Sequence, residues 1–138
     1  MPPREPLKKL HSPEDFHGDV VILDANALMA PFQFSFNLDL KLEDIVPGAT
    51  AIVPTSVIDE LEKLASNGDW KVKAALDLSL KYPSVTSKGK GDSSICNLAV
   101  DRGWMVMTQD RDLRRRLLNR SITVLFLRGK GRIALMEP

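Results

Sequence analysis

Short runs of apolar residues, each cut off by an acid or a proline, restrict this chain more than any other feature. Asp19-Val-Val-Ile-Leu23 stops at Asp24, Thr50-Ala-Ile-Val53 stops at Pro54, and Trp104 to Thr108 leads into Gln109-Asp110. Runs of this length read as buried strands. Stretches with helical spacing separate them. After a cap at Thr55 or Ser56, Val57, Ile58, Leu61, Leu64 and Ala65 form one stripe, closed by Asn67-Gly68. Lys71 to Lys81 predicts a second helix, ended by Tyr82-Pro83. Asp92 stands where a cap belongs, ahead of Ile95, Leu98 and Ala99, and Gly103 closes that helix. Arg111 to Leu118 predicts another helix, Ile122 to Leu127 a strand, and Ile133 to Met136 is a candidate for one more. Val85 to Gly91 reads as a loop or short strand. Strands alternating with helices predict an α/β fold, a parallel sheet with helices on both faces.

A chain of 138 residues is one domain by the usual size prior. The expected division is a polar, proline-rich lead-in over residues 1–18 and a single domain over 19–138. No apolar run approaches the roughly 20 residues that a membrane-spanning helix requires. The amino-terminal stretch has no secretory hydrophobic core. Cys96 is alone and can form no intramolecular disulfide, so a cytoplasmic location is the default expectation. Phe32 to Leu42 is ambiguous: Phe32, Phe34, Phe36, Leu38, Leu40 and Leu42 alternate as in a strand, yet Asn37 or Asp39 is suited to cap a short helix. So many apolar side chains in one stretch suggest core or a homodimer interface, with base stacking as the minor alternative.

Ligands in open α/β sheets bind beyond the carboxyl ends of the strands. Asp24 ends the first strand, Glu60 lies within two turns of the second strand's exit, and Asp110 follows the strand that closes at Thr108. Asp92, at the start of its helix, is expected to open on the same edge. Four carboxylates on one rim suit a hard divalent cation, because Mg2+ and Mn2+ prefer oxygen ligands. Without a cation such a cluster repels itself and some members retain a proton near neutral pH. At 100° per residue Glu60 sits at the margin of the apolar stripe and Asp59 on the opposite face, which favours Glu60. Each aspartate has a plainer reading as a helix cap, and Asp112 is placed to pair with Arg116 one turn on, which leaves it an accessory role.

Charge is unevenly spread. Residues 1–82 hold 8 basic and 13 acidic side chains, whereas residues 83–138 hold 11 basic and 5 acidic. The basic half suggests an anionic partner. Arg111, Arg115 and Arg116, directly after Asp110, and Lys88 and Lys90 ahead of Asp92 are the candidate contacts for such a partner; Arg114 lies nearer the packed side and is suited to cover apolar surface with its stem. His11, His17 and Cys96 lack zinc-site spacing. Gly89-Lys-Gly91 and Gly129-Lys-Gly131 are too short for a phosphate-binding loop, and no serine elbow is present. Cys96 and Trp104 read as core.

Four segments in order, Val-Ile-Leu-Asp24-Ala-Asn26-Ala-Leu, Val-Pro-Thr-Ser-Val-Ile-Asp-Glu60-Leu, Gly-Asp92-Ser-Ser-Ile and Met-Thr108-Gln-Asp110-Arg-Asp-Leu, resemble the PIN-domain family from about Val20 to Leu127. The resemblance implies a three-layer α/β/α sandwich, a Mg2+ or Mn2+ site and endonucleolytic cleavage of RNA. By matching positions it carries the metal ligands and catalytic acids to Asp24, Glu60, Asp92 and Asp110. It carries supporting polar roles to Asn26, Thr108 and Ser93. Ser93 stands where related chains often have a second aspartate, and Ala25 where they often have a hydroxyl. The late motif and Pro31-Phe-Gln-Phe34 look closest to the ribosomal-RNA-processing kind, which implies a ribosome-assembly partner; the ribonucleases of toxin–antitoxin pairs, with an antitoxin partner, are similar. Two alternatives stand beside it: a PIN-like module that binds without cutting, favoured by the Ser93 and Ala25 departures but opposed by retention of all four acids, and a metal-dependent small-molecule phosphatase, opposed by Asn26 where such enzymes often have a second aspartate.

Overall fold

Four consecutive buried residues set the centre of the molecule. Val20 to Leu23 are each no more than 1% exposed, so this strand is covered on both faces, as a central parallel strand must be. In the computed structural model, which describes residues 10–129 and 131–138, seven strands form one sheet. They are β1 (Leu10–His11), β2 (Val20–Leu23), β3 (Thr50–Pro54), β4 (Ser84–Val85), β5 (Met105–Met107), β6 (Val124–Leu127) and β7 (Ile133–Met136). Their order is β1-β4-β3-β2-β5-β6-β7. The neighbours are parallel except β6 and β7, which are antiparallel. The sheet is therefore mixed at one edge, where β7 returns directly from β6 through a hairpin too short for a crossover.

The helices are α1 (Ala25–Phe34), α2 (Leu38–Ile45), α3 (Thr55–Ala65), α4 (Trp70–Ser79), α5 (Gly91–Arg102) and α6 (Arg111–Asn119). α1, α3 and α4 pack together, and α5 packs on α6. These are the two outer layers that right-handed crossovers produce when the chain moves from β2 outward to β4, then returns to β5. The expected α/β architecture is thus the observed one. The reversal falls between β2 and β5, whose Leu23 and Met107 are in register, and it opens a crevice at their carboxyl ends.

Several local expectations are settled or corrected. The open choice over Phe32 to Leu42 falls to the helix capped by Asn37: Ser35 at φ 55 ends α1, and Asn37 caps α2 by accepting the Leu40 N–H at 3.2 Å. Cap chemistry and the burial of Leu38 and Leu42, one helical turn apart, prevail over the alternation, leaving Leu40 65% exposed. Thr55 and Ser56 do not cap α3. Pro54 occupies that place, and Ser87, from a distant loop, accepts the Ser56 N–H at 3.1 Å. Asp92 is not a cap either, because α5 begins at Gly91 with Lys90 before it. Finally, residues from Leu10 onward are not a loose lead-in. β1 extends the sheet beside β4, Phe16 meets Trp104 edge-on at 6.0 Å, and Glu14 pairs with Arg102 at 2.6 Å. Met1 to Lys9, the remainder of that expected segment, lie outside the described residues. Cys96 and Trp104 are core, as expected.

Candidate active site

Asp24 leaves β2 at the reversal point and begins α1. Its Oδ1 accepts the Ala27 N–H at 2.8 Å, the bond of an N-cap. The side chain is buried, and burial is the main reason its pKa is pushed up to about 7. Negative charge on Glu60 and Asp92 adds to the rise, while hydrogen bonds from the Thr108 hydroxyl and Ala27 oppose it.

Asp110 caps α6 in the same manner, accepting the N–H groups of Asp112 at 2.9 Å and Leu113 at 3.1 Å. Its own N–H donates to Thr108 Oγ1 at 3.1 Å. Thr108, fully buried at the end of β5, thus donates to one aspartate and accepts from the backbone of the other. One hydroxyl sets the spacing of both.

Glu60 projects from the second turn of α3. Its outer side is open to solvent, yet partial desolvation, then the charge of Asp92, raises its pKa. Asp92, half-buried in the first turn of α5, is raised by burial first and next by Asp110. Arg116 opposes that rise, and Asp112 and a hydrogen bond to Asp110 favour it. Asp24 and Asp110 follow the adjacent strands β2 and β5 and share Thr108, while Glu60 and Asp92 act on Asp24, and Asp110 acts on Asp92. As they stand, no group of three among the described residues is arranged to hold a metal ion. The donor set is all oxygen, partly desolvated and self-repelling, which fits a hard cation; imidazole and thiolate are absent from it, since His11 lies beside Asp15 at 3.7 Å and Cys96 is in the core.

The other expected residues divide. Thr108 joins the site. Asn26 and Ser93 are exposed, and neither side chain bonds to the carboxylates among the described residues. Asp112 lies 4.0 Å from Arg115, not Arg116, and that pair is exposed, so it contributes little. Arg116 instead acts through its charge on Asp92. Arg114 stacks over the Phe126 ring at 4.8 Å, covering apolar surface as its position suggested. Arg111, Lys88 and Lys90 are exposed beside the helices that carry Asp110 and Asp92.

One group escaped the sequence reading. Ser56 and Ser94 hydroxyls lie 2.7 Å apart, and Ser94 donates to the Gly91 carbonyl at 3.0 Å. Ser87 N–H donates to Thr55 Oγ1 at 3.2 Å. This hydroxyl cluster ties the start of α3, which carries Glu60, to the start of α5, which carries Asp92. The available signal was Ser94 itself, a polar residue four before Leu98 on an apolar helix face, where a buried hydroxyl needs a partner.

The profile of the PIN like domain family matches residues 21–130, and all four carboxylates fall inside it. The chain belongs to the PIN-like domain family. This PIN domain is 28% identical over 119 residues to ribonuclease VapC4 of Methanocaldococcus jannaschii, covering 80% of this chain and 91% of that protein. It is 31% identical over 116 residues to ribonuclease VapC9 of Archaeoglobus fulgidus, covering 81% and 85%. Its fold is that of the PIN domain endonuclease Utp24, with a TM-score of 0.75 at 21% identity over 86% of this chain and 92% of that one. A domain of a functionally unknown M. jannaschii protein superimposes with a TM-score of 0.62 at 18% identity, covering 81% and 93%. No helix among the described residues of the PIN domain is long and apolar enough to cross a membrane.

Proposed function

We propose that this PIN domain is a metal-dependent endoribonuclease that hydrolyses phosphodiester bonds at the edge formed by Asp24, Glu60, Asp92 and Asp110. The observation that carries the reading is Asp24, buried at the exit of β2, sharing Thr108 with Asp110 and pushed up to about 7 by burial and by the charges of Glu60 and Asp92. Isolated helix caps have no reason to repel one another; ligands of a shared cation do.

Asp24, Glu60, Asp92 and Asp110 are the residues that would hold Mg2+ or Mn2+. When bound, the ion supplies Lewis acidity for water activation and neutralises charge on the scissile phosphate. The remaining work falls to the chain. Thr108 orients Asp24 and the Asp110 backbone together, Arg116 balances Asp92, and Arg111, Arg115, Lys88 and Lys90 attract the RNA backbone. Asn26 and Ser93 have no role that the hydrogen bonding supports.

The curated relatives are named as ribonucleases, which supports the cleavage itself; two contexts follow from the family resemblance, a toxin-type ribonuclease with an antitoxin as partner and rRNA processing with a ribosome-assembly partner. Growth arrest on expression, relieved by a cognate antitoxin, selects the first. Cleavage itself is tested on mixed structured RNAs with Mg2+ and Mn2+. The original protein should cut and Asp24→Asn should not. Equal cleavage by both, or none by either, sinks the nuclease reading, and the second result leaves the non-cleaving binding module in its place.

A further inference from the structure

Two neighbouring hollows lie between α2 and the β6–β7 hairpin. One, of about 450 Å³, is lined by Phe34, Phe36 and Leu40 among others. The next, of about 360 Å³, is lined by Arg128, Arg132 and Ile133. Lys41 and Asp44 line both, so the two hollows adjoin and form the two halves of one cleft wall. Phe34 is 43% exposed. Among the described residues, the lining holds three cations, Lys41, Arg128 and Arg132, and one acid, Asp44.

The hairpin is held in a definite place. Arg128 N–H donates to the Arg132 carbonyl at 2.7 Å, and Gly129 and Gly131 take left-handed φ values of 67 and 76 to make the turn. Gly131 brings the hairpin against Phe36, whose Cβ would lie 3.7 Å from a side chain at that position. The Gln109 side chain then bridges to β6: its Nε2 donates to the Leu127 carbonyl at 3.1 Å and its Oε1 accepts the Leu127 N–H. Gln109 directly precedes Asp110, and Leu127 directly precedes Arg128. The basic hairpin is thereby fastened to the segment that carries a site carboxylate.

We propose that this cleft holds a single-stranded stretch of RNA, with bases against Phe34 and Phe36 and phosphates on Lys41, Arg128 and Arg132. The proposal rests on RNA being the substrate and extends the substrate track beyond the carboxylate edge. Aromatic rings in one hollow beside cations in the next are what a flexible strand with unstacked bases requires. A second copy of this chain fits poorly, since a twofold interface would set one cationic face against another.

The test is fluorescence anisotropy of a labelled 12-nucleotide oligouridine, against a 12-base-pair RNA duplex, in EDTA so that no cleavage occurs. The expected result is preference for the single strand. Arg128→Ala combined with Arg132→Ala should weaken binding tenfold or more, and reduce the slope of log K against log salt by about 1.4. Phe34→Ala should weaken it roughly tenfold, whereas Lys73→Ala, an exposed cation on α4, should leave it unchanged. Lys41→Glu supplies a second reading if Phe34→Ala melts early. Unaltered affinity in the arginine pair, equal binding of duplex, or binding of polyglutamate in place of RNA overturns the proposal. So does dimerisation, seen by light scattering, that Phe34→Ala abolishes without changing RNA affinity. If binding behaves as expected while the original protein fails to cleave, the cleft stands and only the nuclease reading falls.

Discussion

Replacing Asp24 with Asn separates a ligand from a cap. Burial, with Glu60 and Asp92 adding to it, lifts the Asp24 pKa from the ordinary 3.8 to about 7. At roughly 1.4 kcal/mol per unit, the ionised folded state carries a penalty of about 4 kcal/mol relative to the unfolded chain. The sign follows from the raised value. Below pH 3.8 both states are protonated and stability is undiminished. Between 3.8 and 7 the unfolded chain ionises first, so stability falls, and above 7 the full penalty applies. The introduced asparagine would still accept the Ala27 N–H, though less strongly than a carboxylate, at a cost of about 1 kcal/mol. Urea unfolding in EDTA should therefore show Asp24→Asn more stable than the original by about 3 kcal/mol at pH 8. The gain should shrink as pH falls and vanish near pH 4. A variant less stable than the original at pH 8, or a difference independent of pH, would show that Asp24 serves the fold as a cap and belongs to no ligand set.

Three further outcomes are expected. Mn2+ at a hundredfold excess over its Kd should stabilise the original protein by roughly 2.7 kcal/mol, and Asp24→Asn or Asp110→Asn should lose most of that gain in paired melting curves; equal responses would contradict a shared site. Thr108→Val removes a hydrogen bond that lowers the Asp24 pKa, so the acidic limb of the cleavage pH profile should move to higher pH, with stability reduced by about 1–2 kcal/mol for the Asp110 N–H left unpaired. An unmoved limb would remove Thr108 from the site. Ser94→Ala breaks the 2.7 Å link between α3 and α5 and should cost about 1 kcal/mol in urea unfolding. It should also weaken Mn2+ affinity, read by isothermal titration, because Glu60 and Asp92 lose their common tether; unchanged affinity would make the serines structural only.

The sequence alone determined the elements whose hydrophobic pattern is local. Val20 to Leu23, the stripe of Val57 and Leu61, and the run into Thr108 read directly as strands and a helix, because burial on both faces or on one face leaves a periodic mark. Alternation of those elements sufficed for the parallel sheet, and the ends of its strands sufficed to nominate Asp24, Glu60 and Asp110. The match of four short segments supplied the family. Other features depended on partners far away in the chain. Asn37 and the burial of Leu38 and Leu42 outweighed a period-2 pattern only once β7 and α2 had come together. Leu10 and His11 became a strand because β4 offered an open edge, a fact that lies 74 residues downstream in the register of Leu10 with Ser84. Ser87 took over the cap of α3, and Ser94 the link from α5 to α3, across separations of 31 and 38 residues. Hydrogen bonds of this kind are indifferent to sequence distance, whereas periodicity and capping rules register only neighbours. The raised pKa of Asp24 belongs to the same class: desolvation and repulsion arise when β2, α3 and α5 assemble, and no single segment contains them.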